Sequence, residues 1–507
     1  MKKQKTCLIP AVTLFAVSLL VYTLTLAPGL LWGGGDFATF QTMAFLGSVE
    51  DIRGGSGIFY HPLWVILAHP FTKLPIRDPA WRANFASAVF AAAAIALVFC
   101  TARHLTRSTV ASSLAAAALA VSHTFWTYAV MAKVYSLNAL LLIACIYLLL
   151  RWRGRKRGGY LYGFAFLYGL SFLNHLVMAT AAGGFLAYIG IAAWSRRRES
   201  GFWRELLIAA AAGLLGLSPY LILLTRSGTG GSVAGTATRF LQALAFLPTH
   251  PRKLLLGIGV GLALLLYQFP FTFFPGFLGL RQMMIRQKGP EKWLLGLAAL
   301  GNVLFLLAAL DPRAGGEYWW NLHYYLQTYV VFALWIAVGL AAFWPRIASR
   351  KRFLTAAILL TIALPILLYT LAPTLARPFT SNLPGFRPLP GRDNLTYVLS
   401  PWKHHETGAR ILGERILEAL PPDSVLFADY SIWAVVNYLQ VVEGARPDVE
   451  LVKLPGRSAQ VPLILQYQDH PRLFLADLYR YYDIEGIRQH FDILPYGPVY
   501  QLVGEKK

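Results

Sequence analysis

Charge is scarce in this chain of 507 residues, and negative charge is scarcest: 24 Asp and Glu stand against 46 Lys and Arg, and the four types together make up only 14%. A soluble domain carries about 25%, so a water-exposed globule is excluded. With 56% hydrophobic residues and a mean hydropathy of +0.50, the composition is that of a polytopic membrane protein. Cysteine is also rare. Cys7, Cys100 and Cys145 lie in or beside apolar runs, which gives neither a disulfide framework nor a zinc spacing. Walker-type loops, His/Glu metal motifs on a helix and Gly-x-Ser-x-Gly elbows are missing. Nucleotide-driven chemistry is therefore not expected, no cofactor is indicated, and a divalent metal stays open.

The formal charge of +22 would raise the question of nucleic acid in a soluble protein. Its distribution gives another answer. Basic residues cluster in short loops between apolar runs, as in Lys2-Lys3, Arg151 to Arg157, Arg196-Arg197-Arg198, Arg286 to Lys292 and Arg350-Lys351-Arg352. This is the positive-inside pattern, so the expected partner is membrane lipid and not nucleic acid. Spans are predicted at 7–27, 84–102, 109–125, 134–150, 160–175, 176–194, 205–225, 253–280, 293–310, 326–344 and 353–372, about eleven in all. The first is read as an uncleaved helix with a cytoplasmic N-terminus, in preference to a signal peptide. Pro270 and Pro275 mark 253–280 as a place for a kink or split.

If each span crosses once, every basic cluster falls on the side of the N-terminus. Residues 28–83 then form a first external loop, within which His61 to Leu74, interrupted by Pro70, reads as an interfacial helix. At Pro373 the apolar runs shorten and prolines accumulate, so residues 1–372 are assigned to a membrane domain and 373–507 to an extracytoplasmic domain. A helix from Glu406 to Leu420, a strand at 424–428, a helix from Trp433 to Val442 and a strand at 449–452 predict a small α/β unit with a parallel pair. The fold class expected is an all-α polytopic membrane protein with a small C-terminal α/β domain.

Polar residues on the external side are the candidates for function. Asp36 follows Gly33-Gly34-Gly35 just beyond the first span; as a base its carboxylate would take a proton from an acceptor hydroxyl, and as a helix N-cap it would be structural. The residues alone leave both readings open. Lys133 is a cation at the outer end of a span, suited to a phosphate or to snorkelling. Asn174-His175 fits a tight turn or a site, and Arg226, before a Gly/Ser/Thr loop, fits a phosphate contact or a snorkelling side chain. The loop Asp311 to Tyr325 brings Arg313, Glu317, Trp319, Trp320, Asn321, His323 and Tyr324, a mixture that stacks on a sugar or floats at the headgroups.

Several ordered motifs resemble one family. They are Ala27-Pro28-Gly29 with Gly34-Gly35-Asp36, His61-Pro62-Leu63-Trp64, Trp81-Arg82-Ala83-Asn84-Phe85-Ala86-Ser87, Ser122-His123-Thr124-Phe125-Trp126, Val134-Tyr135-Ser136-Leu137-Asn138, Asn174-His175, Tyr329 to Ile336, Leu426 to Asp429 and Glu443 to Val449. The set resembles a membrane family, once catalogued only as a domain of unknown function, that includes the eukaryotic transmembrane O-mannosyltransferase acting on receptor ectodomains.

That resemblance implies a GT-C type glycosyltransferase taking sugar from a polyprenyl-phosphate donor, with inversion at the anomeric carbon and Asp36 as base. It implies an exported protein or glycan as acceptor. Lys133, Arg226 and Arg313 become the residues expected to hold the donor phosphate; His61, Tyr135, Asn174, His175, Trp319 and His323 become those expected to contact substrate. This chain departs from the family at three points. Thr39 stands where an acid usually lies three places after the aspartate, Ala132-Lys133-Val134-Tyr135 replaces Ala-Glu-Val-Tyr, and Gly57-Ile58-Phe59-Tyr60 replaces His-Pro-Pro-Gly. Two other readings stand beside the enzyme: a flippase for a lipid-linked substrate, which needs midplane polar groups that spans 134–150 and 353–372 lack, and a non-catalytic assembly subunit.

Overall fold

The computed structural model describes residues 2–32, 36–48, 61–155, 157–226, 250–314, 321–347, 351–383 and 386–505, with single positions between 227 and 249. The chain is a multi-pass helical membrane protein with one sheet near its C-terminus. Its helices are α1 (Lys2–Leu24), α2 (Asp36–Leu46), α3 (Pro62–Thr72), α4 (Pro79–Thr106), α5 (Thr109–Ala120), α6 (His123–Ala129), α7 (Tyr135–Arg155) and α8 (Gly158–Ser171). There follow α9 (Ala182–Arg196), α10 (Phe202–Arg226), α11 (Pro251–Gln268), α12 (Phe273–Arg286), α13 (Glu291–Ala309), α14 (Leu326–Ile347) and α15 (Lys351–Ala376).

Among the described residues, seven helical stretches are long and apolar enough to cross a membrane, or nine if each of two bent pairs counts as one span. The two further spans expected from the sequence correspond to α1 and α8. Helix α8 has only 14 residues, whereas α1 runs for 23, with the side chains of its first residues outside those described. At 1.5 Å per residue α8 is about 21 Å long against a hydrocarbon core of about 30 Å. The two bent pairs are α5 with α6, at 67°, and α11 with α12, at 113°. The second break holds Pro270, which lacks the N–H that would continue the ladder, as the prolines led us to expect. By contrast Pro70 does not interrupt α3, which continues to Thr72. It falls in the last turn, where only one backbone bond is lost before the helix ends.

Helix α4 is the pivot of the bundle, packed against α1, α3, α5, α7 and α14. Asp78 starts it by accepting the Trp81 N–H at 2.8 Å, with Pro79 at the first helical position. Elsewhere small residues let backbones touch: a Cβ on Gly169 of α8 would collide with the Gly213 carbonyl of α10, and one on Gly279 of α12 with the Trp335 carbonyl of α14.

The C-terminal part holds five strands, β1 (Val425–Ala428), β2 (Glu450–Lys453), β3 (Leu473–Leu475), β4 (Phe491–Tyr496) and β5 (Val499–Glu505), in the order β2-β1-β3-β5-β4. The expected parallel pair is present, Val425 facing Glu450, and α16 (Asn394–Leu399), α17 (Gly408–Ala419) and α18 (Tyr430–Glu443) accompany it. The sheet is larger than expected. The three-residue β3 is too short to show a period, and β4 and β5 form an antiparallel hairpin turned at Gly497, where φ is +56°.

Candidate active site

The site is built outward from two polar residues one turn apart on the apolar helix α4. Asn84, fully buried, donates to the Ala27 and Gly29 carbonyls at 3.2 and 3.0 Å and accepts from the Ala132 N–H at 2.9 Å and from Gln41 of α2 at 3.0 Å. Ser87 donates to the Lys133 carbonyl at 3.2 Å and accepts its N–H at 3.3 Å. Burying such groups costs free energy unless each is satisfied, so this mutual pairing fixes three segments against one another. They are the turn after α1, helix α2 and the residues just before α7.

Asp36 opens α2; its side chain, and Gly33–Gly35 before it, lie outside the described residues. One turn of α2 then places Phe37 and Phe40 on the face toward Lys133, whose buried ammonium sits 4.8 and 4.9 Å from their ring centroids. From Phe40 a ladder of rings leads away. Phe40 stacks on His61 at 5.7 Å, His61 on His175 at 4.8 Å with planes 12° apart, His175 meets Tyr135 at 5.7 Å, and Tyr135 stacks on His323 at 3.9 Å. His323 Nδ1 bonds to the Tyr128 hydroxyl at 3.1 Å.

Backbone contacts set the histidines. His61 has φ +56°, unusual for a residue with a Cβ, and its Nδ1 is 2.6 Å from the Asn174 carbonyl oxygen, so it donates there. His175 Nδ1 accepts the Val177 N–H at 3.0 Å and starts the 3-10 turn Leu176–Ala181. Burial, and then the positive charges of His61 and Lys133, hold the His175 imidazole well below its ordinary pKa, so it is neutral at pH 7. Asn174 is buried, donates to the Val134 carbonyl at 3.3 Å, and has an Oδ1 with no partner among the described residues.

Six of the sequence candidates, Lys133, His61, Tyr135, Asn174, His175 and His323, are thus brought together beside the start of α2. Two are not. Arg226 ends α10 exposed, with its guanidinium in no ion pair among the described residues. Arg313 is held by Asp311 at 2.7 Å in an exposed pair. Trp319 and the Gly54–Gly57 turn lie outside the described residues. No group of three His, Cys, Asp or Glu side chains fit to hold a metal ion occurs among the described residues.

The opposite face of α2 meets the C-terminal part. Thr39 donates to the Tyr430 hydroxyl of α18 at 3.2 Å. Helix α18 is itself capped by Asp429, which accepts the Ser431 N–H at 3.0 Å, the Tyr482 hydroxyl at 2.9 Å and, on both carboxylate oxygens at 2.9 Å, Nη1 of Arg387. Sequence reading missed Asn84, Ser87, Gln41 and Tyr430 as organisers. A polar pair three residues apart in an apolar span was the signal for the first two.

Two apolar openings approach the site. A cavity of about 490 Å³ lies between α11, α12, α13 and α14, with Tyr325 and Trp293 in its lining. A second, of about 330 Å³, adjoins His123 and shares His123, Leu322 and Val398 with a small pocket that ends on Phe37.

Comparison with known proteins meets this geometry at the same residues. Residues 61–197 match the family model described as the Protein O-mannosyl-transferase TMEM260 N-terminal domain. The matched segment contains His61, Lys133, Tyr135, Asn174 and His175, together with Asn84 and Ser87. Mouse (Mus musculus) Protein O-mannosyl-transferase TMEM260 is 34% identical over 131 residues, which are 26% of this chain and 18% of that protein. Two solved structures match nearly the whole length: ArnT from Cupriavidus metallidurans bound to undecaprenyl phosphate, and the same protein in the apo state. Each has a TM-score of 0.57 at 15% identity and covers 97% of this chain; this chain covers 97% and 96% of them respectively. Residues 61–197 are therefore similar to the TMEM260 N-terminal domain, and the chain as a whole has the fold of the ArnT structures.

Proposed function

We propose that this protein is a GT-C type membrane glycosyltransferase, moving a sugar from a polyprenyl-phosphate donor to an acceptor hydroxyl on the external face. The observation that carries the reading is the buried Lys133 ammonium over Phe37 and Phe40, on the first turn of the helix that Asp36 opens. The likeness of residues 61–197 to an O-mannosyl-transferase supports it, as does the fold of an ArnT that binds undecaprenyl phosphate.

In this mechanism Lys133 holds the donor phosphate as a compact point charge in a water-poor setting. Arg226, exposed at the end of α10, and Arg313, paired with Asp311, are assigned no part in that contact. The ladder from His61 through His175 and Tyr135 to His323 offers flat faces for the sugar, and Trp319 is placed with it by sequence alone. The Asn174 Oδ1 is an acceptor for a sugar hydroxyl. The polyprenyl chain lies in the 490 Å³ apolar groove, whose lining residue Tyr325 adjoins Tyr324 and His323. Asp36 takes the acceptor proton as the acceptor oxygen bonds to the anomeric carbon from the side opposite the phosphate. The carbon–oxygen bond to phosphate breaks, and polyprenyl phosphate leaves with the electron pair, which inverts the configuration. Residues 1–372 supply this chemistry, and 373–507 orient the acceptor.

The test is glycan and glycoprotein mass spectrometry on a strain lacking the gene. A hexose-bearing species should vanish, return with the wild-type chain and stay absent with Asp36→Asn. A glycome unchanged by the deletion would sink the enzyme reading.

A further inference from the structure

A polar cavity of about 540 Å³ opens on the seam between α2 and the C-terminal part, separate from the ring ladder and from both apolar openings. Its walls come from Thr42 and Leu46 of α2, from Trp433, Asn437, Gln440 and Val441 of α18, and from the stretch Pro447 to Leu451 leading into β2. The size is in the range of about 300–1,000 Å³ typical of ligand sites, but the lining is unlike the apolar norm.

The hydrogen-bond accounting leaves particular groups for a ligand. Gln440 Nε2 is used by the Arg446 and Val449 carbonyls at 3.1 and 2.8 Å, and Glu450 Oε1 by the Tyr467 hydroxyl at 2.8 Å. Asp448 is paired with Arg446 at 2.7 Å. Among the described residues, Glu450 Oε2, Gln440 Oε1 and the half-buried Asn437 carboxamide have no partner. Among the described residues, the charged ones in the lining are two acids, Asp448 and Glu450, in a chain whose formal charge is +22. Carboxamides match peptide amides and a free carboxylate oxygen matches a cation.

Helices α2 and α18 run side by side in the same sense: Thr39 meets Tyr430, and three to eleven residues further on Thr42 and Leu46 share the cavity with Trp433, Asn437 and Val441. Thr42 lies six residues after Asp36, about 9 Å along the helix. An extended chain rises about 3.3 Å per residue, so about three residues of it bridge the cavity and Asp36.

We infer that this seam cavity is the docking site for an extended acceptor polypeptide, taking a Lys or Arg about three residues from the hydroxyl that receives the sugar. The inference rests on the glycosyltransferase reading for its direction, since it is Asp36 that fixes where the hydroxyl lies. A lipid-borne acceptor with phosphate groups would meet two carboxylates here, which disfavours it.

The experiment uses the full chain in nanodiscs and a fluorescein-labelled 12-residue peptide with one Thr and a Lys three positions away, read by polarisation. Peptides with Gln or Glu in place of the Lys are the comparison. The Lys peptide should bind best and the Glu peptide worst. Glu450→Gln should weaken the Lys peptide about tenfold while leaving the Gln peptide unchanged, and Asn437→Ala should weaken all three by a few-fold. Measured on the Asp36→Asn protein, these differences should persist, which separates docking from the chemistry. Equal binding of the three peptides, indifference to Glu450→Gln, no binding at all, or displacement of the Lys peptide by lipopolysaccharide micelles would each overturn the assignment.

Discussion

The two flanks of α2 are built from different materials. Toward the bundle, Phe37 and Phe40 meet a buried ammonium and the start of a stack of histidine and tyrosine rings; toward the sheet, Thr39 and Thr42 meet α18 and a polar cavity. The first flank presents ring faces and a buried cation, and the second presents hydroxyl, carboxamide and carboxylate groups. On the proposed reading, the eleven-residue helix that opens at Asp36 has a donor side toward the bundle and an acceptor side toward the sheet.

Four substitutions or conditions sharpen or break this contrast. The largest effect should come from Asn84→Ala, which leaves the Ala132 N–H, the Gln41 amide and two carbonyls without their shared partner. Thermal or denaturant melts should show a loss of ~3 kcal/mol, and an undiminished melt would mean that the flanks are held by something else. Lys133→Gln should raise the donor KM by about 30-fold, ~2 kcal/mol, with a smaller change in acceptor KM. Equal effects on both constants would erase the distinction between the flanks. Tyr430→Phe removes the acceptor of the Thr39 hydroxyl, and should lower kcat by no more than about fivefold while sparing donor binding.

The smallest effect is one of pH. His175 is neutral in the fold because its pKa lies below the ordinary value of 6.5. The unfolded chain therefore binds the extra proton first, and this contribution to stability is complete above 6.5 and is lost as pH falls below it toward the folded value. Melts between pH 5 and 7 should show a drop that His175→Phe flattens. Identical profiles for the two proteins would place the titrating group elsewhere.

Much of this was legible in the residues. The basic loops and apolar runs announced a multi-pass bundle, Pro270 announced the break after α11, and Ser424 to Val452 announced a parallel β-α-β unit. What the one-dimensional pattern could not express was depth. Lys133, Arg226 and Arg313 read alike, as cations at outer span ends, yet one is buried against rings, one is exposed at a helix end and one is clasped by its neighbour Asp311. Nor does spacing disclose that Thr39 and Tyr430, 391 positions apart, share a hydrogen bond. Nor does hydropathy disclose that α8 ends after 14 residues, where Phe172 to His175 turn the chain into the site.

The most direct test of the central claim is a paired measurement on purified wild-type and Asp36→Asn protein in nanodiscs, using a polyprenyl-phosphate hexose and a Thr peptide. Donor binding should agree within about twofold, while the single-turnover transfer rate of the variant falls by about 10²–10⁴-fold, the loss expected when a positioned base is removed. Transfer at the wild-type rate with donor bound would contradict the account.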